Sequence, residues 1–177
     1  MAMCSDASGW AKAALVTLII SVALHIAGWA TLNWMAYSTT GNVLTYEIGL
    51  WQMKSCNDGD CKKVTLPESF VTGLFQGVRA METLTFIGLF FTTILSAVYV
   101  MVEAARTRKV AVALLALCIV VAVCSFIGMI LFLAYFPDPY VVSYSMGLTV
   151  LALLLVLVSG AFMIPDVTDF REKEPFY

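Results

Sequence analysis

The run GLWQMKSCNDGDC, residues 49–61, is the one chemically distinctive stretch in a chain otherwise made of lipid-soluble residues. It lies between the first and second of several long hydrophobic segments. A tryptophan near two closely spaced cysteines, in a segment rich in strand-forming residues, predicts a small sheet closed by a disulfide. We expect the function of the protein to lie in this sheet.

Composition favours a membrane protein. Hydrophobic residues make up 61% of the 177 residues and charged residues 12%, whereas a typical soluble domain has roughly 25% charged residues. Four hydrophobic segments are each long enough for a membrane span, which needs roughly 20 residues. They cover residues 11–32, 80–102, 110–135 and 142–164. The sequence therefore predicts a single four-span domain over residues 1–177, surrounded by membrane lipid. A net charge of −2 with no Lys/Arg-rich run argues against a nucleic-acid partner.

The segment between the first two spans has the pattern of an antiparallel sheet over residues 34–66. Strand-forming residues are frequent in Trp34–Ser38 and in Val43–Lys54, and the residues between them have turn chemistry. We expect these segments to form two strands. Lys62–Leu66 is expected as a third strand, which Pro67 ends.

Cys56 and Cys61 flank Asn57-Asp58-Gly59-Asp60, which is typical of a hairpin tip because Asp-Gly favours the left-handed backbone of a tight turn. A hairpin of this length brings the two α-carbons within the roughly 4.4–6.8 Å that a disulfide needs. A zinc site is the alternative, but zinc takes four ligands and the loop offers no other Cys or His. We therefore expect a disulfide, and neither a metal nor another cofactor.

Enzymatic activity is not expected from this sequence. Asp58 and Asp60 flank a turn glycine, so they are more simply turn formers than an acid–base pair. No Gly-rich phosphate loop occurs. The only histidine, His25, lies inside the first span, where we expect it to hydrogen-bond a neighbouring helix, for example through Ser21.

Basic residues predict how the chain crosses the membrane. Arg106, Arg108 and Lys109 occupy the short connection between the second and third spans. Short connections rich in Lys and Arg stay in the cytoplasm, so both termini are expected inside. The cysteine pair is then outside, where oxidation keeps a disulfide closed.

Further expectations concern single residues of the helices and of the loop. Cys118 and Cys124 are expected to be free, buried thiols. Pro165 is expected to end the fourth span, before a flexible polar tail over Asp166–Tyr177.

Arg79 and Glu82 are three residues apart and can pair on one helix face. Arg79 can instead hold the sheet by reaching backbone carbonyls, and Leu50 and Trp51 are expected to lie buried against the helix ends.

Residues along the whole chain resemble one family. Trp34, then Gly49-Leu50-Trp51, then Cys56 and Cys61 resemble the W…GLW…C…C signature of the claudin superfamily, which includes peripheral myelin protein relatives and auxiliary gamma subunits of ion channels. Further similarity is seen at Leu66-Pro67, Gln76, Arg79-Ala80, Phe136, Pro139 and Gly147. The resemblance implies an all-α membrane bundle of four helices, left-handed, carrying a small extracellular antiparallel sheet in the plasma membrane.

The resemblance also implies a function. Claudins associate in cis at cell–cell junctions and form a paracellular barrier or pore with the first extracellular loop. Lys62 and Lys63 would then face the ion path, with Asp58 and Asp60 offsetting part of their field, unless these lysines only protect an edge strand from aggregation. The alternative function is an auxiliary subunit of an ion channel or receptor. Pro175 at the third-last position argues against a PDZ-domain scaffold as partner.

Overall fold

Four helices form a bundle, and a five-stranded sheet lies at one end of it. The computed structural model describes residues 7–39 and 44–173, with side chains as far as residue 169. The helices are α1 (Gly9–Ala30), α2 (Gly73–Met101), α3 (Arg108–Tyr135) and α4 (Tyr144–Lys173). Each of them is long and apolar enough to cross a membrane. The four helices therefore indicate a multi-pass membrane protein.

The helices pack in chain order, and α1 also packs against α4, which closes the ring. A hydroxyl side chain caps the first turn of α1, α2 and α3, because Ser8, Thr72 and Thr107 each accept a hydrogen bond from the backbone N–H three residues on. We call the end of the bundle where Ala30 and Gly73 lie the sheet end.

All strand pairs are antiparallel, and the strands lie in the order β4-β3-β2-β1-β5. They are β1 (Met35–Ser38), β2 (Leu44–Ile48), β3 (Gln52–Asn57), β4 (Asp60–Thr65) and β5 (Val141–Val142). Single 3₁₀ turns at Glu68–Phe70 and Glu103–Ala105 precede α2 and α3. The predicted bundle with a small antiparallel sheet is confirmed at this level.

The sheet and the bundle share one hydrophobic core. Its buried side chains are Trp34, Met35, Ile48, Leu50, Met53, Leu66, Phe75, Val78, Phe132 and Met146. They come from three strands, from α2, α3 and α4, and from the segments that join them. Because burial of these side chains needs both layers, the sheet is held to the helices by the hydrophobic effect as well as by the chain connections.

The prediction of one strand over Val43–Lys54 is wrong. The structure divides this segment into β2 and β3 at Gly49-Leu50-Trp51, where the N–H of Gly49 donates to the carbonyl of Gln52 over 3.0 Å. A β-carbon at Gly49 would lie 2.5 Å from the carbonyl oxygen of Thr31, so only glycine fits this close approach of two backbones.

Two expectations about the fourth span are also wrong. Val142, expected as the first residue of the span, instead forms β5 together with Val141, and β5 pairs with β1. Pro165 does not end the helix, because α4 continues to Lys173. Residues 166–173 are therefore helical, whereas the rest of the expected tail, including Pro175, lies outside the described residues, as does most of the turn over residues 39–42.

Cys118 and Cys124, the free cysteines in the part of the chain that the structure describes, differ in burial. Cys118 is buried as expected, but Cys124 is only half-buried, so the expectation for that residue is wrong.

Candidate functional site

Trp34 joins the sheet to the helices. Its side chain is fully buried, and its indole N–H donates to the carbonyl of Gly28 in α1 over 2.8 Å. The ring meets that of Phe132 in α3 edge-on, with centroids 5.1 Å apart. The backbone of Trp34 also bonds to Ile48 and to Ser143. One residue thus contacts α1, α3, β2 and the segment that leads into α4.

Arg79 in α2 holds the turn between β2 and β3. Its Nε donates to the carbonyl oxygen of Leu50 over 2.7 Å, which is a backbone-carbonyl contact of the kind that the sequence suggested. The guanidinium lies over the rings of Trp51 and Phe75, at 5.3 and 5.0 Å from their centroids. A charged donor on a backbone carbonyl, flanked by two aromatic faces, fixes the turn in position.

The alternative partner for Arg79 is not used. Within the part of the chain that the structure describes, Arg79 and Glu82 form no ion pair, and the Glu82 carboxyl is fully buried. Of the two possibilities for Arg79, the structure thus has the contact with a backbone carbonyl and not the pair with Glu82.

Leu50 is fully buried, as expected, but Trp51 is 40% exposed. The expectation of a buried Trp51 is wrong because the turn directs this ring to the rim of the bundle, where it meets the edge of Trp29 at 5.1 Å. A partly exposed tryptophan beside the helix ends, as Trp51 is here, is typical of a membrane–water interface.

Cys56 and Cys61 form the predicted disulfide and are directly opposite each other in β3 and β4, with their α-carbons 4.0 Å apart. Asp58 and Gly59 make the turn between them, and both have positive φ, 46° and 86°. This is the backbone that the Asp-Gly pair predicted. The hairpin is consequently closed at its tip by a covalent bond.

Lys62 and Lys63 lie on opposite faces of the sheet, because successive side chains of a strand alternate. Lys62 is opposite Ser55, which is opposite Tyr46. Its ammonium lies 3.8 Å from the Asp60 carboxylate, and both side chains are well exposed. The expectation that both lysines face one path does not agree with this alternation.

Lys63 lies on the other face, directly opposite Lys54. Lys54 pairs with Glu47 across β2 and β3, with Nζ and Oε2 3.3 Å apart. No ion pair to Lys63 occurs among the described residues. Like charges directly opposite each other repel, so this face carries one cation more than its carboxylate neutralises.

The side chains of Glu47, Lys54 and Lys63 line a pocket of about 340 Å³ between the sheet and the helix ends. Its other walls are Ala30, Thr31, Leu32, Asn33 and Tyr144. We call it the sheet pocket. The sequence did not reveal it, because its walls come together only after the strand break at Gly49 sets the register of β2 against β3.

A tyrosine cluster lies on the face of the sheet that carries Lys62. The rings of Tyr46 and Tyr140 each lie about 6 Å from Tyr37, and Phe70 meets Tyr140 edge-on at 5.9 Å. Burial raises the pKa of the Tyr140 hydroxyl, and the neighbouring Tyr46 and Tyr37 add to this effect. The cluster packs the connection between α3 and α4 against the sheet.

His25 bonds to a neighbouring helix, as expected, but not through Ser21. Its Nε2 lies 3.1 Å from the backbone carbonyl oxygen of Glu82 in α2. Ser21 donates instead to the carbonyl of Ala152 in α4 over 2.8 Å.

Comparison of the chain with protein-family models and with curated proteins found no match.

Proposed function

We propose that this chain is a claudin-like tetraspan protein of the plasma membrane at cell–cell junctions. It associates side by side with further copies and forms a paracellular barrier or pore with its sheet. The observation that carries the proposal is the way the signature residues cooperate: Trp34 and Arg79 hold the sheet on the bundle, and Cys56–Cys61 closes its outer hairpin. A sheet fixed in this way can present a defined surface to the space between two cells.

The two sheet edges support lateral assembly. All six residues of β4 are exposed at one edge, and Val141 and Val142 of β5 are 62% and 48% exposed at the other. Uncovered edges have free backbone groups that can pair with another strand. Because the two edges differ, contact between them is head-to-tail, which produces rows of copies rather than closed dimers.

The charges of the sheet pocket support a weak preference for anions. Lys54 and Lys63 face one carboxylate there, Glu47, whereas Lys62 on the other face is offset by Asp60. Where water is partly excluded, an excess positive charge repels cations more strongly than in an open, screened vestibule. Lys63 is therefore the lysine that governs selectivity in this proposal.

The orientation follows from Arg106, in the connection between α2 and α3, and from Arg108 and Lys109, the first two residues of α3, at the end opposite the sheet. Basic residues in a short connection stay in the cytoplasm. Both termini are then inside the cell, and the disulfide and the sheet pocket are outside.

Expression in a tight epithelial monolayer tests the proposal. We expect altered transepithelial resistance, an anion preference in dilution potentials, and rows of particles by freeze-fracture microscopy. Lys63→Glu should abolish the anion preference, and Lys62→Glu, the matched change on the other face, should alter it much less. Conductance and selectivity equal to those of the empty monolayer would exclude the junctional function.

The second candidate is an auxiliary subunit of an ion channel or receptor. It is favoured by the short connection between α3 and α4, residues 136–143, of which Val141 and Val142 are already part of the sheet. Little of this connection remains for contact with an opposing cell. Crosslinking in native membrane followed by identification of the crosslinked chains distinguishes the two, because a junctional protein crosslinks to itself and an auxiliary subunit to a channel.

A further inference from the structure

His25 and Glu82 are ionisable side chains that lie buried inside the helix bundle, away from the sheet pocket. Glu82 of α2 is 0% exposed and His25 of α1 is 1% exposed. An ionisable residue inside a membrane bundle is costly and usually has a function. Neither side chain is explained by the proposed function.

The geometry leaves most of their polar atoms without partners. The Nε2 of His25 lies 3.1 Å from the carbonyl oxygen of Glu82 and 3.9 Å from its Oε2. A carbonyl only accepts, so Nε2 carries hydrogen and donates. The Nδ1 of His25 and both carboxyl oxygens of Glu82 have no hydrogen-bond partner among the described residues.

Helix α3 closes the site from the other side. A β-carbon at Gly128 would lie 2.5 Å from Oε1 of Glu82, so the glycine makes room for the carboxyl group. Farther along the interface between α2 and α3, Val121 of α3 packs closely against Gly88 of α2. Ser125 lies between these two positions on α3, is buried, and its hydroxyl also has no partner in the described part of the chain. Polar atoms of α1 and α2 thus meet at this level of the bundle, and Ser125 lies about one helical turn from Gly128 on α3.

Few other charges act on this pair. Arg79 lies about one turn toward the sheet, where its guanidinium donates to the carbonyl oxygen of Leu50. On α3, only the thiols of Cys118 and Cys124 can titrate between Lys109 and Tyr135, and α4 has no titratable side chain between Tyr144 and Asp166. On α1, Lys12 lies near the far end of the helix. His25 and Glu82 must therefore balance each other.

Net charge decides which protonation state the bundle tolerates. Protons are counted here from neutral imidazole and ionised carboxylate. With one added proton the site is neutral overall, whichever of the two side chains holds it. With two protons it carries +1, and with none it carries −1. A net charge without donors or acceptors around it is strongly disfavoured in so dry an environment.

We propose that His25 and Glu82 form an intramembrane proton-binding site, which holds one exchangeable proton between the two side chains. The proton comes from water and returns to it, and α1, α2 and α3 pack most stably in the singly protonated state. The site is independent of the sheet pocket, so it would operate in a junctional protein and in an auxiliary subunit alike.

The single histidine makes a direct test possible, because His25 is the only one in the chain. The untagged full chain, labelled with ¹⁵N-histidine and placed in lipid nanodiscs, gives a one-residue NMR signal for both ring nitrogens. We expect this signal to titrate, and its midpoint to move by about 1 pH unit or more in Glu82→Gln, as interacting groups do. Identical titrations in wild type and variant would overturn the proposal. So would a wild-type signal that does not titrate at all, which needs no variant.

Unfolding provides a second readout. The wild-type midpoint temperature should pass through a maximum with pH and fall on both sides, and the double variant His25→Gln, Glu82→Gln should lose this dependence. Glu103→Gln, which changes an exposed carboxyl at the far end of the bundle, should retain it. A double variant with the wild-type profile would contradict a proton-linked pair.

Discussion

The Nε of Arg79 donates to the carbonyl oxygen of Leu50 over 2.7 Å, and this bond ties α2 to the turn between β2 and β3. The carbonyl belongs to a fully buried residue, so it has no ready replacement partner when the donor is removed.

Arg79→Gln should therefore destabilise the protein by about 1.5–3 kcal/mol, the usual worth of a hydrogen bond to a charged group. The ring of Trp51 loses its cation at the same time, so tryptophan fluorescence should change as well. Denaturant unfolding in a mild detergent measures the first effect. Lys109→Gln, an exposed basic residue at the other end of the bundle, serves as the control and should have little effect on stability.

Removal of the disulfide should cost less than it does in most small secreted domains. Only five positions separate Cys56 and Cys61, and closing so short a loop restricts the unfolded chain by about 2 kcal/mol. The double variant Cys56→Ser, Cys61→Ser should unfold at lower denaturant by this amount and reach the cell surface less efficiently. Reaction of both thiols with a maleimide in the intact wild type, without reductant, would contradict the bond.

Gly49→Ala should destabilise by about 1–3 kcal/mol, because the new methyl group meets the backbone of Thr31 and cannot be accommodated by a side-chain rotation. Gly147→Ala is the matched control. A β-carbon there has nothing within 4 Å and lies in α4, so helix propensity should make this change neutral or stabilising by up to about 1 kcal/mol. Equal effects of the two changes would argue against the close approach at Gly49.

Alkaline pH should weaken the packing of the tyrosine cluster. Burial raises the pKa of Tyr140 above its ordinary value of 10.0. The neutral hydroxyl therefore contributes stability that is fully present below about pH 10 and is lost as the pH rises through the higher value. Phenylalanine cannot ionise, so Tyr140→Phe should lose less stability than wild type when the pH is raised from neutral to alkaline. Parallel unfolding curves from neutral to alkaline pH would show that this hydroxyl is not involved.

How far the sequence predicts the structure depends on whether a feature is local. The hairpin of Cys56 and Cys61 follows from Asp58-Gly59, which favours the turn without help from other segments. The break at Gly49 could not be inferred in this way, because strand-forming residues lie on both sides of it and its cause, the backbone of Thr31, is distant in sequence.

Pro165 is a similar case. Proline predicts a helix end, but the next residue, Asp166, accepts hydrogen bonds from Ser8 and Tyr99 over 2.6 and 3.0 Å. These contacts with the start of α1 and the end of α2 hold the chain in place beyond the proline. The proximity of His25 to the Glu82 carboxyl was likewise beyond sequence reasoning, since it depends on how α1 packs against α2.

The pairing of β5 with β1 has a consequence for biosynthesis. It joins residues 35–36 to residues 141–142, so the sheet cannot be completed until three helices and the following connection have been synthesised. The β3–β4 hairpin, by contrast, needs only its own few residues. A nascent chain stalled after α3 should therefore already contain the disulfide while its β1 edge is still uncovered, and chaperones that recognise open strand edges should retain it until the fifth strand arrives.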